Sequence, residues 1–282
     1  MIFGLFAALG WGLTDFFGAL AGRRIGAISA VVAGQLLSAV SITVVLIATG
    51  ESLEPLRADI WLVVLNGAVA AFAYSTHYKA LELGPVAVVS PIGAGYAVVG
   101  VALAVLILGE RPTALALTGA GIAVVGVALV STDLKKLRQG IENRLPGLPW
   151  SVVAAISFGI AGFLLGWISD RAGWIPGLWG SRVAQMVFFL PLVVVFRQEL
   201  SRVRLGFGLW IALLAGAGDI LGVVMFSAGS ERGLNSIVLA ASAVFPLIAV
   251  TLSVIVFKEK LVANQLAGIA LVVGGLLLLG LG

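Results

Sequence analysis

Ten long apolar runs, separated by short polar segments, make up almost the whole chain. Each run is long enough for a helix that crosses about 30 Å of hydrocarbon, which takes roughly 20 residues. A strand of a membrane barrel needs only about ten residues and alternates in polarity, and these runs do not alternate. The pattern therefore predicts an all-α membrane protein with ten transmembrane helices, at about 3–22, 27–48, 60–82, 86–108, 113–132, 150–169, 177–196, 207–230, 234–257 and 262–281.

The second half of the chain repeats the first at a fixed offset of 149 residues. Chance produces matches among Leu, Val and Ala in so apolar a chain, but matched Glu, Gly and Trp at one offset indicate duplication. We predict a first five-helix repeat at 1–132 and a second at 150–282, joined by a polar linker at 133–149. The matched pairs include Trp61/Trp210, Glu82/Glu231, Gly84/Gly233, Ala94/Ala243, Leu103/Leu252, Glu110/Glu259, Gly119/Gly268 and Gly126/Gly275.

Each repeat has an odd number of spans, so the second repeat enters the membrane from the side opposite to the first. Inverted repeats of this kind build many secondary transporters, in which the substrate site lies near mid-membrane between the repeats. We therefore expect two inverted five-helix repeats and alternating access about a central cavity. The first, third, fourth, sixth, eighth and ninth spans are expected to line it.

Composition fixes the environment and excludes several functions. The chain is 61% apolar and 11% charged, with a mean hydropathy of +1.16, whereas soluble domains carry about a quarter charged residues. Without cysteine, and with His77 as the single histidine, neither a thiolate nor a multi-histidine metal site is possible, and we expect no cofactor. The net charge of +4 is spread over short loops, so nucleic acid is not an expected partner. The acids lie singly, so we expect no enzymatic site.

Basic residues predict the orientation, because Lys and Arg are enriched on the cytoplasmic side. One side holds twelve of them and the other holds four, Arg57, Arg111, Arg171 and Arg232. We therefore predict a multi-pass protein of the cell (inner) membrane with both termini outside. The twelve residues of the predicted cytoplasmic side are Arg23, Arg24, Lys79, Lys135, Lys136, Arg138, Arg144, Arg197, Arg202, Arg204, Lys258 and Lys260.

Three ionisable residues lie deepest within the spans, where a charge costs roughly 2.5–3.5 kcal/mol. Asp219 lies near the centre of the eighth span on a strip of small residues, which allows either close helix packing or room for a ligand. Asp15 shares a face of the first span with Trp11, one turn away, which is placed to cover a substrate. Asp15 and Asp219 are candidates for proton coupling; the alternative is that each is a structural, hydrogen-bonded acid.

Arg182 has three possible roles: it pairs with Asp219 or Asp15, it grips a substrate, or it extends to the outer headgroups. Gln185 lies one turn further on, and Gln35 is a weaker candidate. The third span adds Tyr74, His77 and Tyr78 as substrate-binding candidates, although the tyrosines also suit an interfacial belt. The fourth span has hinge candidates, because Pro91 removes a helical hydrogen bond; the hinge set is Pro91, Gly93 and Gly95.

The chain resembles the drug/metabolite transporter superfamily, in particular its ten-helix EamA-type members. The resemblance rests on Gly10-Trp11-Gly12 in the first span and on the two copies of the repeated stretch, in which a Glu-basic pair follows the fourth span of each repeat: Glu110-Arg111 and Glu259-Lys260. It implies a secondary transporter, an exporter or exchanger, of small polar metabolites such as amino acids, with proton coupling as a hypothesis. Similar proteins also move sugars, sugar phosphates or lipid-linked groups, so the alternative is a flippase of a lipid-linked substrate or an accessory membrane subunit.

Overall fold

A computed structural model describes residues 2–108, 113–130, 146–195, 206–231, 242, 245–258 and 260–281. Within these residues the chain forms eleven α-helices, one short 3-10 helix at Glu54–Arg57 and no strand. The helices are α1 Ile2–Ile25, α2 Ala27–Thr49, α3 Ile60–Leu83, α4 Val86–Gly93, α5 Tyr96–Leu108, α6 Ala114–Val130, α7 Leu148–Ala172, α8 Trp174–Val195, α9 Phe207–Glu231, α10 Phe245–Val256 and α11 Ala263–Leu281.

These helices correspond to ten membrane spans, because α4 and α5 together form the fourth. Among the described helices, α1, α2, α3, α7, α8 and α9 are each long and apolar enough to cross a membrane on their own. The predicted fold class, an all-α membrane protein of ten spans in two inverted five-helix repeats, is confirmed. Of the predicted ninth span, residues 234–241, 243 and 244 lie outside the described residues, as do both Glu-basic pairs except Lys260.

The fourth span is not the single helix predicted at 86–108, because it breaks at Ala94–Gly95. Pro91 has no N–H to donate, so the helical ladder loses one bond just before the break. Within the break, the N–H of Gly95 donates to the carbonyl of Ile92, three residues back, at 3.0 Å. This tighter bonding is typical of a 3-10 turn and separates α4 from α5.

Helix packing exchanges partners between the two repeats. The first span of repeat one, α1, packs along α9, which is the third span of repeat two; the first span of repeat two, α7, packs along α3, the third span of repeat one. In the same way α2 packs on α9 and α8 packs on α3. Each repeat therefore holds the other through equivalent elements, as a pseudo-twofold arrangement requires.

Glycines that are matched in the two repeats bring α6 and α11 into backbone contact. A Cβ atom added to Gly126 would lie 2.5 Å from the backbone nitrogen of Val272, and one added to Gly275 would lie 2.5 Å from that of Ala123. Gly126 and Gly275 are a pair in the sequence repeat. Small residues allow membrane helices to approach until their backbones touch. The fifth spans of the two repeats are in such contact, with no room for a side chain at either glycine.

Large apolar side chains cover the outside of the bundle, where a bilayer would contact it. The matched pair Trp61 and Trp210 is exposed, at 57% and 67% respectively. Each lies near the first residue of its helix, α3 or α9. Tryptophan is enriched where membrane meets water, so the two repeats carry an interfacial anchor at equivalent places.

Candidate functional site

A cavity of about 140 Å³ lies between the repeats. Its lining comes from α1, α3, the break between α4 and α5, α7, α8, α9 and α10. These include all six spans that we expected to line it. The seventh span, α8, was not among them and contributes Arg182 and Gln185.

Arg182, Asp219 and Tyr74 form the centre of a buried polar cluster beside the cavity. The Nη2 of Arg182 lies 2.9 Å from the Oδ2 of Asp219 and 3.1 Å from the hydroxyl oxygen of Tyr74. That hydroxyl donates to the Oδ1 of Asp219 at 2.6 Å. The guanidinium also lies 5.1 Å from the centre of the Tyr74 ring, close enough for a cation–π attraction.

Two glutamines complete what we call the arginine cluster: Gln35, Tyr74, Arg182, Gln185 and Asp219. The Nη1 of Arg182 donates to the Oε1 of Gln35 at 2.5 Å and to the Oε1 of Gln185 at 2.9 Å. The Nε2 of Gln35 donates to the Oδ2 of Asp219 at 3.2 Å. A buried ion pair is tolerated only when further hydrogen bonds satisfy most of its remaining donors and acceptors; these amides bond to the Nη1 of Arg182 and the Oδ2 of Asp219, while the Nε of Arg182 has no described partner.

The arginine cluster excludes one of the three roles considered for Arg182. Its side chain does not extend to the headgroups, because the residue is only 4% exposed and its charge is paired with Asp219. The cluster joins α2 and α3 of the first repeat to α8 and α9 of the second. Gln35, which the sequence offered only as a weaker candidate, bonds to both Arg182 and Asp219 and is fully buried.

A second polar group, the Asp15–His77 pair, faces the same cavity from α1 and α3. The Nε2 of His77 lies 2.7 Å from the Oδ1 of Asp15. Both residues are buried, and within the described part of the chain neither the Oδ2 of Asp15 nor the Nδ1 of His77 has a hydrogen-bond partner. Gly93 makes room for the imidazole, because a Cβ atom there would lie 3.3 Å from the Cε1 of His77.

Aromatic rings surround Trp11 and form one wall of the cavity. The ring of Trp11 lies 6.1 Å from that of Tyr96, 5.5 Å from that of Phe226 and 6.3 Å from that of Phe245, measured between centroids. All four rings line the cavity. We name this set the aromatic wall: Trp11, Tyr96, Phe226 and Phe245. Sequence reasoning identified only Trp11 as a site residue, because the other three follow no polar pattern that separates a cavity wall from a core.

Several predicted site residues lie beside the cavity without lining it. Tyr78 is fully buried against α1, where a Cβ atom on Gly18 would lie 3.2 Å from its ring. Pro91 and Gly95 flank the break in the fourth span, and only Gly93 of the three hinge candidates lines the cavity. The hinge itself stays a prediction.

The strip of small residues on α9 serves helix packing. A Cβ atom on Gly216 would lie 2.6 Å from the carbonyl oxygen of Gly34, and one on Gly222 would lie 2.4 Å from the indole of Trp11. The space beside these glycines is filled by α2 and α1. Of the two possibilities that the sequence left open for this strip, close packing is the one found.

The EamA-like transporter family matches residues 1–132 and 145–281. The crystal structure of another protein superposes with a TM-score of 0.66 at 19% identity, over 98% of this chain and 94% of that one. At this identity the likeness shows a shared fold. No curated protein sequence is similar enough to count as a match. Two matched repeats that span nearly the whole chain identify this protein as a member of the EamA-like transporter family, and thus as a membrane transporter.

Proposed function

We propose that the chain is a secondary transporter, an exporter or exchanger, that moves small polar metabolites such as amino acids. The observation that carries the proposal is a set of four buried polar atoms on residues lining one cavity: the Oδ2 of Asp15, the Nδ1 of His77, the Oγ of Ser181 and the Nε of Arg182. None has a partner among the described residues. A buried polar atom without a partner costs about 1–3 kcal/mol, so a polar solute that bonds to these atoms gains binding energy.

Alternating access suits a site placed between two inverted repeats, because small rigid movements of the repeats open it to either side. The break between α4 and α5 supports this mechanism, since Gly93 and Tyr96 on either side of it line the cavity. Bending at this break would change the cavity wall while leaving α4 and α5 intact as helices. We propose that the segment from Pro91 to Gly95 is the hinge.

Of the two candidate proton couplers, Asp15 suits the role better than Asp219. Asp219 accepts hydrogen bonds from Tyr74, Arg182 and Gln35, so both of its oxygens are occupied. Asp15 has one oxygen on His77 and one without a described partner. A proton can therefore reach Asp15 without breaking a network that joins the two repeats.

Transport is tested with purified protein in liposomes. A thermal-shift screen against classes of metabolite selects ligands first, because a ligand that binds only the folded protein raises its apparent stability. Uptake of the selected, labelled solutes into proteoliposomes is then compared with uptake into empty liposomes. Saturable uptake supports the proposal. Movement of a lipid-linked reporter with no uptake of any soluble metabolite would favour the flippase alternative instead.

Coupling is tested by measuring uptake with and without a pH gradient. We expect a gradient to accelerate uptake by the wild type and to have no effect on Asp15→Asn, which keeps the acceptor for His77 but cannot release a proton. Gradient-independent uptake by the wild type would contradict coupling and favour passive exchange. A loss of the gradient effect in a folded Asp219→Asn variant, with the effect retained in Asp15→Asn, would assign coupling to Asp219.

A further inference from the structure

We propose that Asp15 binds a protonated amine of the transported solute, and that the solute carries this amine on an apolar body that packs against the aromatic wall. The inference rests on the proposed transport function. It narrows the substrate class from polar metabolites in general to small ammonium compounds.

The position of Asp15 gives the first argument. The residue is 4% exposed, lines the cavity, and has one carboxylate oxygen without a hydrogen-bond partner among the described residues. The other oxygen is fixed by His77 at 2.7 Å. A carboxylate that is held in one orientation by one contact, and whose buried second oxygen has no described partner, can accept a hydrogen bond from a ligand in the cavity. An ammonium group is the donor that also supplies charge.

The charges around the cavity give the second argument. Arg182 on α8 and Asp219 on α9 neutralise each other at 2.9 Å. The described helices α4, α5 and α10 carry no charged residue, and the charged residues of α7 are Asp170 and Arg171 at its end, where Arg171 is paired with Asp59. Among the described residues that line the cavity, His77 is therefore the remaining potential counter-charge for Asp15. If Asp15 is ionised and His77 is neutral, the described lining has one uncompensated negative charge, and a buried charge is stable only when it is paired.

The aromatic wall gives the third argument. Trp11 lies one helical turn before Asp15 on α1, and Tyr96, Phe226 and Phe245 contact its ring. Aromatic faces attract cations and pack well on apolar groups. A solute that combines an ammonium group with an apolar body would therefore satisfy the carboxylate and the rings together. A free carboxylate on the solute finds no unpaired cation in the described lining, because Arg182 is already paired.

The test is a ligand series with one body and different charges. 2-Phenylethylamine, phenylalanine, 2-phenylethanol and 3-phenylpropionate are titrated against the purified, full-length protein, with binding followed by tryptophan fluorescence. We expect 2-phenylethylamine to bind at least about tenfold more tightly than the alcohol, since the charged pair forms away from water. Phenylalanine is expected between the two, and the propionate last. Equal binding of amine and alcohol, or tighter binding of the propionate, would overturn the proposal.

Asp15→Asn supplies the matched variant. It keeps the shape of the side chain and an acceptor for His77, so we expect the amine to lose at least about tenfold in affinity while the alcohol changes little. Asp15→Glu keeps the charge and is the second variant if the amide variant unfolds; it should retain the preference for the amine. Unchanged preference in a folded Asp15→Asn protein would show that another group binds the amine.

A His77→Gln variant tests the remaining explanation, in which a protonated His77 is the permanent counter-charge of Asp15. In that case the preference for the amine is absent in the wild type and appears in His77→Gln. Failure of this subsite is also distinguishable from failure of the transport function. Amine binding without any uptake into liposomes would support the amine subsite and contradict the transport function. Saturable uptake of solutes that have no amine, unaffected by Asp15→Asn, would support the transport function and contradict the amine subsite.

Discussion

The hydroxyl of Tyr74 donates to the Oδ1 of Asp219 at 2.6 Å, which ties the third span of the first repeat to the third span of the second. The same hydroxyl accepts a bond from Arg182 at 3.1 Å. One phenol therefore contacts both members of the buried ion pair. Its removal affects the pair without changing either charge.

The first prediction follows from this contact. Tyr74→Phe keeps the ring against Phe158 and removes the hydroxyl, so the Oδ1 of Asp219 loses its donor. We expect a loss of about 1–3 kcal/mol in stability, the cost of leaving a buried acceptor unsatisfied, seen as a lower midpoint of thermal unfolding. Tyr78→Phe is the control, because that hydroxyl has no described partner; it should unfold like the wild type. Equal effects of the two substitutions would contradict the network.

The second prediction concerns the ion pair itself. Arg182→Gln or Asp219→Asn alone leaves one charge buried without its partner, which costs about 3–5 kcal/mol. The double variant removes both charges and should be more stable than the sum of the single effects implies. A double-mutant cycle of thermal unfolding midpoints measures this coupling. Strictly additive effects would mean that the pair contributes no mutual stabilisation.

The third prediction compares two glycines of one helix. At Gly126 an added methyl group would lie 2.5 Å from the backbone of α11, whereas at Gly121 nothing lies within 4 Å. Gly126→Ala should therefore force α6 and α11 apart and cost about 1–3 kcal/mol. Gly121→Ala should be neutral or stabilise by up to about 1 kcal/mol through helix propensity. Thermal unfolding of both variants in the same detergent checks the difference.

The fourth prediction tests the orientation and uses the absence of cysteine. Ser52 lies in the exposed segment after α2, on the side predicted to be outside, and Ala263 begins α11 on the opposite side. Ser52→Cys should react with a membrane-impermeant maleimide on intact cells, and Ala263→Cys should react only after the membrane is opened. Neither substitution alters the charge balance that sets topology. The reverse labelling pattern would place both termini in the cytoplasm.

The fold was predictable because membrane spans are encoded locally. A run of apolar residues fixes a helix wherever its neighbours lie, and the odd number of spans in each repeat fixes the inversion. The break at Ala94–Gly95 was only partly visible, since Pro91 marks the weakened helix but not where the turn forms. The observed helix ends differ from the predicted span ends by only a few residues where both are described. The helix α7, for example, begins at Leu148, and the sequence predicted its start near residue 150.

The site was predictable only where polarity was unusual. Burial of a charge is costly, so Asp15, Arg182 and Asp219 stood out in apolar runs. Which of them pair did not follow from the sequence: Arg182 was left with either acid, and the contact between Asp15 and His77 joins residues 62 positions apart and depends on how α1 crosses α3. Rings such as Phe226 and Phe245 give no sequence signal, because a phenylalanine in an apolar helix suits core, lipid and cavity equally.

The close backbone contact between α6 and α11, at Gly126 and Gly275, involves residues that do not line the cavity. The residues that hold the fifth spans together are thus separate from those proposed to bind the solute. Rings of the cavity can be exchanged for others without loosening that contact. The same fold could therefore accept a different solute through substitutions in the aromatic wall, with the glycines between α6 and α11 unchanged.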